Sequence, residues 1–297
     1  MYLKEPLNYE QQIEKLIENK IQILDREKAK NILSEINYYK LTGYALQFRK
    51  NINKSECKED TTLKIVYKIY KFDEDLRAVF RKYIEIAEVY YKTQIAYGFS
   101  TEKCIESPYN QHYDENNFYN KKGYREVMQT FNKEENYYKD SLIVKHHKHK
   151  YKGQMPLWVM VELMTFSNVS KLYCSMFISE KAKIADEVGV NYKTLENHLH
   201  CLSVLRNRCA HTARLYNTKF NPPARFTKQF LRKNPQISNN SLFAYSLVLL
   251  RRLPNLETKQ LMVNDLYNVF DKNIEYIDLK LIGFPKNYKE VLKNNIK

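Results

Sequence analysis

The amino-acid sequence predicts an all-α fold, and two observations support this prediction. Apolar side chains recur at the helical spacings i, i+3 and i+4 along nearly the whole chain, whereas the alternation typical of strands is scarce. Only 6 Gly and 8 Pro occur among 297 residues. This scarcity argues against a β fold built on tight turns and against an α/β fold with glycine-rich phosphate loops.

The first third of the chain predicts two short helices, a polar loop and one long helix. Apolar residues at 13, 16 and 17, and then at 29, 33 and 36, indicate two amphipathic helices, the second of which ends near Gly43. Residues 51–61 are polar and form the predicted loop. From Thr62 the helical spacing continues to about Gly98. Two i, i+4 pairs of opposite charge support this long helix, Asp73–Arg77 and Glu88–Lys92.

The rest of the chain predicts further helices, one irregular connection and one loop. Residues 101–123 are predicted to be irregular, and the basic, His-rich residues 145–154 are predicted to be a loop. Pro156 is predicted to start an apolar helix. The Asn-Pro-Pro at 221–223 is predicted to stop the helix that begins at about Tyr192. The predicted helices span residues 123–135, 157–178, 180–188, 192–211, 241–252, 258–275 and 287–295.

This order of helices predicts three consecutive parts of the chain. They are an N-terminal helical segment at 1–61, a central helical bundle at 62–216 and a C-terminal helical segment at 217–297. We see no internal repeat in the sequence.

Several features predict a cytoplasmic protein that has no membrane partner. The longest uncharged apolar stretch, Ser241 to Leu250, is far shorter than the ~20 residues that a membrane span needs. The N-terminus has no apolar segment typical of a secretory signal. The five cysteines form no CxxC pair and are odd in number, which fits a reducing compartment.

The basic charge is concentrated in one part of the chain. Lys and Arg number 49 against 34 Asp and Glu, a formal charge of +15. An AT-rich genome would produce the same excess of Lys over Arg without selection for binding, so the total alone indicates little. No acidic residue occurs between Glu196 and Glu257, whereas ten Lys or Arg lie there, and seven of the twelve Arg lie between 201 and 252. This clustering predicts a surface for nucleic acid, and the alternative is a solvated basic face.

A second stretch without acidic residues runs from Ser141 to Val161. It combines lysines with His146, His147 and His149. No set of Cys or carboxylates with zinc spacing accompanies these histidines, so the stretch predicts an RNA-contacting or solvated loop and no metal site. The predicted RNA-binding residues of the two stretches are Arg208, Arg214, Lys219, Arg225, Lys145, Lys148 and Lys150.

The segment 206–211 predicts a site that cleaves RNA without metal. Such chemistry needs a base for the 2′-OH proton, an acid for the leaving 5′-oxygen and a cation at the phosphorane. His211 is suited to the proton transfers, because imidazole titrates near neutrality, and Arg206 is suited to the cation role. Asn207 shares a helical face with His211, whereas Arg206 lies about 140° around the axis. Since one His cannot fill two roles, a symmetric dimer is expected to pair two copies of this helix.

Four segments, in the same order, resemble the AbiD/AbiF-type abortive-infection proteins of the HEPN class of helical RNases. LRNRCAHTARLYN at 205–217 is similar to the family signature LRN-x-x-AHH-x-RL-W-N. INYYKLTGY at 36–44 is similar to INYYRLSGY, and FDEDLR at 72–77 with the following glutamates resembles FDxxLR…IExIE. PLWVMVE at 156–162 is similar to P-x-W-x-x-x-E.

This resemblance implies a HEPN-like helical bundle and a metal-independent endoribonuclease toxin of antiphage defence. Arg206, Asn207 and His211 are its implied catalytic residues, no cofactor is implied, and the product carries a 2′,3′-cyclic phosphate. Two departures stand out, since Thr212 replaces the second His of the signature and Tyr216 replaces its Trp. Some AbiF-type members resemble toxins silenced by a cognate small RNA, which implies RNA as substrate and regulator.

Two glutamates are supporting candidates, and each has a structural alternative. Glu88 pairs with Lys92 in the alternative that we favour, and Glu162 either supports the site or holds a basic residue in the core. His198 and Cys201 share a helical face, but core packing explains them better than a metal does.

Two other functions compete with the enzyme. A non-catalytic RNA-binding module is favoured by Thr212 in place of His. A DNA-binding helix-turn-helix is suggested by residues 182–195, where Gly189 marks the turn and Asn191 and Lys193 follow it.

Overall fold

The structure is a computed structural model that describes residue 3 and residues 5–51 and 53–296. Within this part of the chain the regular elements are helices, and the β-type pairings are two isolated bridges, Gln22 with Thr62 and Arg49 with Cys57. The all-α prediction is therefore confirmed. None of the helices in the described residues has the length and apolar character that crossing a membrane requires.

The α-helices of the described residues account for most of the chain. They are α1 (Tyr9–Glu18), α2 (Arg26–Glu35), α3 (Tyr38–Thr42), α4 (Leu63–Lys103), α5 (Lys121–Tyr137), α6 (Leu142–Tyr151), α7 (Leu157–Leu163), α8 (Phe166–Ser175), α9 (Ile178–Glu187), α10 (Tyr192–Ala210), α11 (Lys228–Lys233), α12 (Leu242–Arg252), α13 (Leu256–Asn273) and α14 (Tyr288–Asn294). Short 3₁₀ helices span Gly43–Phe48, Gln111–Tyr113, Glu115–Asn117 and Leu279–Ile282.

The chain forms two compact units, and each is assembled from separate stretches. The first unit comprises the described residues up to Val79, with Arg214–Thr218 and Asn264–Ile282. The second unit comprises Phe80–Ala213, Lys219–Val263 and the described residues from Gly283 onwards. The predicted division into three consecutive segments follows chain order alone and stays a prediction.

One buried carboxylate connects two of the three stretches that form the first unit. Asp73 on α4 is fully buried and accepts a hydrogen bond of 2.7 Å from the Tyr44 hydroxyl. It also accepts the backbone N–H groups of Leu215, at 3.1 Å, and Tyr216, at 2.8 Å. Arg77, one turn further along α4, pairs with the same carboxylate. Since a buried charge needs such partners, these contacts make Asp73 the polar centre of the first unit.

Helix α10 is central to the second unit. It packs against α8, α9 and α12, and nearly every side chain of α12 is buried. Asn191 caps its N-terminus, because the Asn191 side chain accepts the backbone N–H of Lys193. These contacts hold α10 in place, and its C-terminal end carries residues 206–211.

The C-terminal end of α10 lies within one residue of the predicted end at 211, but the feature that ends the helix differs from the prediction. The helix ends at Ala210, well before Asn221, and Thr212 follows with a φ of +51°. The N–H of Ala213 returns to the Arg208 carbonyl at 2.8 Å, as in a Schellman cap. A left-handed residue therefore ends this helix, and the prediction that the prolines at 221–223 stop it is wrong.

The His-rich stretch is a helix, so the predicted loop at 145–154 is wrong. The Ser141 hydroxyl accepts the N–H of Val144 and starts α6. His147 is buried, and its Nδ1 donates to the Ile143 carbonyl at 2.8 Å. Lys152, with a φ of +54°, ends the helix. The caps and the buried face of Val144 and His147 are enough to form a helix here. The apolar spacing did not predict it, because most residues of the segment are lysines and histidines.

Two predicted helices are each divided in the structure. The apolar helix predicted at 157–178 is interrupted between α7 and α8, where the Thr165 hydroxyl caps a new helix by accepting the N–H of Asn168. The helix predicted to end near Gly43 ends instead at Glu35, and Asn37 caps the separate helix α3. In both places a capping side chain interrupts a continuous apolar spacing.

Candidate active site

The predicted catalytic residues lie together at the C-terminal end of α10, in the second unit. The Arg206 side chain is 38% exposed, Asn207 is half-buried and His211 is exposed. His211 is the first residue beyond the helix, and its backbone N–H still donates to the Asn207 carbonyl at 3.0 Å. The helix thus ends just before His211, and both side chains reach solvent.

Two cations share one carboxylate beside this helix end. The Glu88 carboxylate lies 3.5 Å from Nε of Arg206 and 3.3 Å from Nζ of Lys92. The predicted Glu88–Lys92 pair is therefore present, and Arg206 is an additional partner that sequence spacing could not show. Because two cations face one carboxylate, the cluster keeps a net positive charge. Glu88 contacts Arg206 at Nε, the inner nitrogen of the guanidinium.

A hydrogen bond ties Asn207 to a neighbouring helix. Its Nδ2 donates to the Ser167 hydroxyl at 3.1 Å, and Ser167 lies in the first turn of α8. This bond and the packing of α8 on α10 give the Asn207 side chain a defined direction. Ser167 is a further residue of the site, and no sequence motif pointed to it.

The predicted RNA-binding residues fall into two groups. The Arg208 guanidinium lies over the Phe220 ring at 5.0 Å from its centroid. Within the first unit, the Arg214 guanidinium donates to the Gly43 carbonyl and lies over the Tyr44 ring. These two arginines thus contact the protein itself. The lysines and the arginine of the other group are exposed, and they are Lys145, Lys148, Lys150, Lys219 and Arg225.

The last two arginines of the acid-free stretch 197–256 belong to the core of the second unit. Arg252 is buried, and the Arg251 guanidinium lies 4.3 Å from the centroid of the Phe230 ring. Burial, with a further effect from Arg252, lowers the pKa of Arg251 to about 10. The basic stretch is therefore not one continuous surface.

Glu162 is exposed on α7, so it does not hold a basic residue in the core. It lines a cavity of about 950 Å³ within the second unit, together with Trp158. Several aromatic side chains also line this cavity. The sequence could not single them out, because tyrosine is abundant throughout the chain.

A cysteine and a histidine at the same cavity form a pair that sequence spacing did not reveal. The Cys104 sulfur lies 3.4 Å from Nδ1 of His112, and the other ring nitrogen of His112 donates to the Met155 carbonyl at 2.8 Å. Burial raises the pKa of the Cys104 thiol and lowers the pKa of His112. Both shifts favour the neutral pair, whereas a nucleophilic cysteine needs the thiolate. The pair therefore serves packing.

The other histidines and the alternative DNA-binding segment also have defined places. His198 and Cys201 are both buried, and His198 donates to the Arg225 carbonyl at 2.8 Å. The helices α9 and α10 are joined by a turn at Gly189, as a helix-turn-helix requires, but Asn191 is used as the cap of α10. Among the described residues, no group of three or more His, Cys, Asp and Glu is arranged to hold a metal ion.

Comparison with known proteins gives one match. A family model described as Abi-like protein matches residues 31–217, which include all four segments of the resemblance. Comparisons with curated proteins and with solved structures found no match.

Proposed function

The chain belongs to the Abi-like protein family, which indicates an abortive-infection role, and we propose that it acts there as a metal-independent endoribonuclease toxin. One observation carries this proposal. Arg206 and His211 both reach solvent at the end of α10, and Glu88 contacts the inner side of the arginine. A guanidinium and an imidazole that both reach solvent supply two of the three groups that phosphodiester transesterification needs.

The proposed reaction breaks one phosphodiester bond of RNA. The 2′-oxygen attacks the adjacent phosphorus after its proton passes to an imidazole, and the bond from phosphorus to the 5′-oxygen breaks as that oxygen receives a proton. His211 carries out the proton transfers, Arg206 stabilises the charge on the phosphorane, and Asn207 orients His211 or the phosphate. The products are a 2′,3′-cyclic phosphate and a 5′-OH. DNA lacks the 2′-OH and is expected to resist.

Two copies of the chain complete the proposed site. One His211 cannot be base and acid in the same step, so a homodimer that brings two α10 ends together supplies the second imidazole. Light scattering is expected to show a dimer. Mixing parent with His211→Ala chains is expected to lower the activity more than dilution of the parent does, because a mixed dimer has only one of the two imidazoles.

We also propose that RNA regulates the protein as well as serving as its substrate. The exposed basic residues of the second unit, among them Lys219 and Arg225, are suited to phosphate contacts. A cognate small RNA bound there would keep the toxin silent. Its binding is expected to weaken with salt, with a log–log slope of about −0.7 for each phosphate neutralised on a single strand. A flat salt response would remove this regulatory claim.

The decisive test is cleavage of RNA in the presence of EDTA by the full chain. His211→Ala is expected to lower the cleavage rate by about 10²–10³-fold, the usual effect of removing a group that acts in the transition state. His200→Ala is the matched control, since His200 is an exposed histidine on the same helix and is expected to leave the rate unchanged. Equal rates for parent and His211→Ala, or products with 5′-phosphates, would refute the mechanism.

The same experiment separates the alternatives. Thr212 stands where the family signature has its second His, and this favours a non-catalytic RNA-binding module. RNA retention without cleavage would support that module. The α9–α10 pair favours the DNA-binding alternative, and a preference for duplex DNA over RNA would support it.

A further inference from the structure

An open cavity in the second unit carries an unusual set of exposed aromatic side chains. The C-terminal part of α4, the end of α6 and the helix α7 contribute to its wall. We call this cavity the aromatic groove and define it by four of its lining residues. Their exposed fractions are Tyr97 68%, Tyr109 59%, Tyr151 46% and Trp158 58%. Large apolar side chains gathered at one exposed cavity are typical of a binding site.

The aromatic side chains of the groove are not needed for the core. On α7 the buried residues are Leu157, Met160 and Val161, whereas Trp158 and Glu162 are exposed. Trp158 and Glu162 are spaced i, i+4 and share one helical face, which lines the groove. Both residues are also part of the segment 156–162, which resembles the family. The proposed cleavage chemistry does not explain that resemblance.

The groove carries a basic rim beside its aromatic wall. Lys150 and Lys152 line it, and the Lys150 ammonium lies 5.2 Å from the centroid of the Tyr151 ring. Lys145 and Lys148 precede these lysines on α6 and are also exposed, and Lys145 pairs with Asp140 at 3.1 Å. Glu162 is the only carboxylate among the residues that line the groove in the described chain. Aromatic faces next to the two ammonium groups are suited to a ligand that has both flat rings and phosphates.

We propose that the aromatic groove binds an unpaired segment of single-stranded RNA. Its bases stack on Trp158, Tyr97 and Tyr109, and its phosphates run along Lys150 and Lys152. Glu162 accepts a hydrogen bond from the amino group of one base, which favours A, G or C over U at that position. The choice of RNA as the ligand rests on the proposed function, whereas stacking in the groove does not require cleavage.

The groove is a second site, separate from the end of α10. Thr93 and Tyr97 line it and follow Glu88 along α4 by five and nine residues. At 100° per residue these positions lie about 140° and 180° around the helix from Glu88. The groove thus opens on the face of α4 opposite to the ion pair of Glu88 with Arg206. An RNA segment held there docks the molecule and does not present the bond that is cleaved.

The single Trp of the chain makes this proposal directly testable, because Trp158 is the only source of tryptophan fluorescence. The experiment uses full-length His211→Ala chain, which binds without cleaving, and adds 12-nucleotide oligo(A), oligo(U) or duplex RNA. Oligo(A) is expected to quench Trp158 saturably, oligo(U) to bind more weakly, and duplex RNA to leave the emission unchanged. Removing the Tyr97 and Tyr109 rings by double alanine substitution is expected to weaken oligo(A) binding by about 5- to 150-fold for each stacked base lost.

Controls distinguish this proposal from the proposed function. Tyr39→Ala, which removes an exposed tyrosine of the first unit, is expected to leave the quenching unchanged. If oligo(A) leaves Trp158 unquenched, or if lipid vesicles or peptides quench it and RNA does not, the groove proposal is refuted even where the parent chain cleaves RNA. If oligo(A) quenches Trp158 and the parent chain cleaves nothing, the groove stands and the RNase proposal fails.

Discussion

The polar cluster at Asp73 in the first unit and the end of α10 in the second unit are built in opposite ways. Asp73 is buried, and Tyr44, Arg77 and two backbone N–H groups surround its carboxylate. At the end of α10, by contrast, Arg206 and His211 reach solvent. Both regions contain residues of the family-like segments, so membership of a motif does not by itself identify the residues that react.

Burial accounts for the difference between the two regions. Burial raises the pKa of the Asp73 carboxyl, and the charge of Arg77 and the hydrogen bonds of Tyr44, Leu215 and Tyr216 oppose that rise. Burial and the neighbouring Asp73 also raise the pKa of Tyr44, which keeps its hydroxyl as a donor. Water and substrate have no access to such groups. The Asp73 cluster therefore stabilises the fold, and the exposed end of α10 is left for chemistry.

The largest expected effect on stability comes from removing the buried carboxylate. Asp73→Ala leaves Arg77 buried without its partner, and it is expected to lower the free energy of unfolding by about 3–5 kcal/mol. Urea unfolding followed by circular dichroism measures this change. The matched control is Asp75→Ala on the same helix, where the exposed pair with Lys272 is expected to contribute at most ~1 kcal/mol. Equal losses for the two variants would contradict the structural role of Asp73.

His198, a buried histidine of the same helix, sharpens the comparison with the exposed His211. Burial, with the charges of Arg252 and Arg251, lowers the pKa of His198 to about 3. In the unfolded chain the pKa of a histidine is about 6.5. Between pH 3 and that value, His198 therefore binds a proton in the unfolded state and stays neutral in the folded state. The stability from neutral His198 is present above pH ~6.5 and is lost toward pH 3, by up to ~1.4 kcal/mol per pH unit.

Unfolding measured in urea at pH 7.5, 6 and 5 tests this dependence. His198→Gln is expected to flatten the loss of stability at acid pH, because glutamine cannot take up the proton. His200→Gln, which changes an exposed histidine of the same helix, is expected to keep the slope of the parent. Some slope is expected to remain in His198→Gln, since burial also lowers the pKa of His112. A slope identical to that of the parent would contradict the assignment to His198.

The smallest expected effect concerns the residue that ends α10. Thr212 adopts a φ of +51°, a conformation that disfavours β-branched residues. Thr212→Gly is expected to raise the free energy of unfolding by about 1 kcal/mol, as thermal unfolding would show. Asn217→Gly is the control at a comparable φ of +48°, and it is expected to change stability less because Asn tolerates this conformation. A destabilised Thr212→Gly would mean that contacts of the Thr side chain outweigh the backbone strain.

Most of the helices were predicted from local features of the sequence. The errors in the predicted helices arose where the spacing of apolar residues did not match the ends of the helices. The long helix α4 and the helix α10 were predicted because their spacing extends over many turns. The break between α7 and α8 was missed because apolar residues continue across it, and Thr165 acts as a cap only in that context. The helix α6 was missed because its lysines and histidines hide the buried His147.

The candidate site was predictable in part. Arg206, Asn207 and His211 are close in sequence, so their common place at one helix end followed from helical geometry. Ser167 could not be predicted, because it lies forty residues away from Asn207 along the chain. The same reason hid the role of Asp73, whose backbone partners at 215 and 216 lie more than 140 residues further on.

The sequence alone determined the all-α class, most helix positions and the group of residues at 206–211, because periodicity, caps and short spacings act within a few turns of chain. Only the tertiary structure decided which cations reach solvent, that Arg206 shares Glu88 with Lys92, and that Trp158 lines an open groove. These properties depend on burial and on partners distant in sequence, and folding alone brings such residues together.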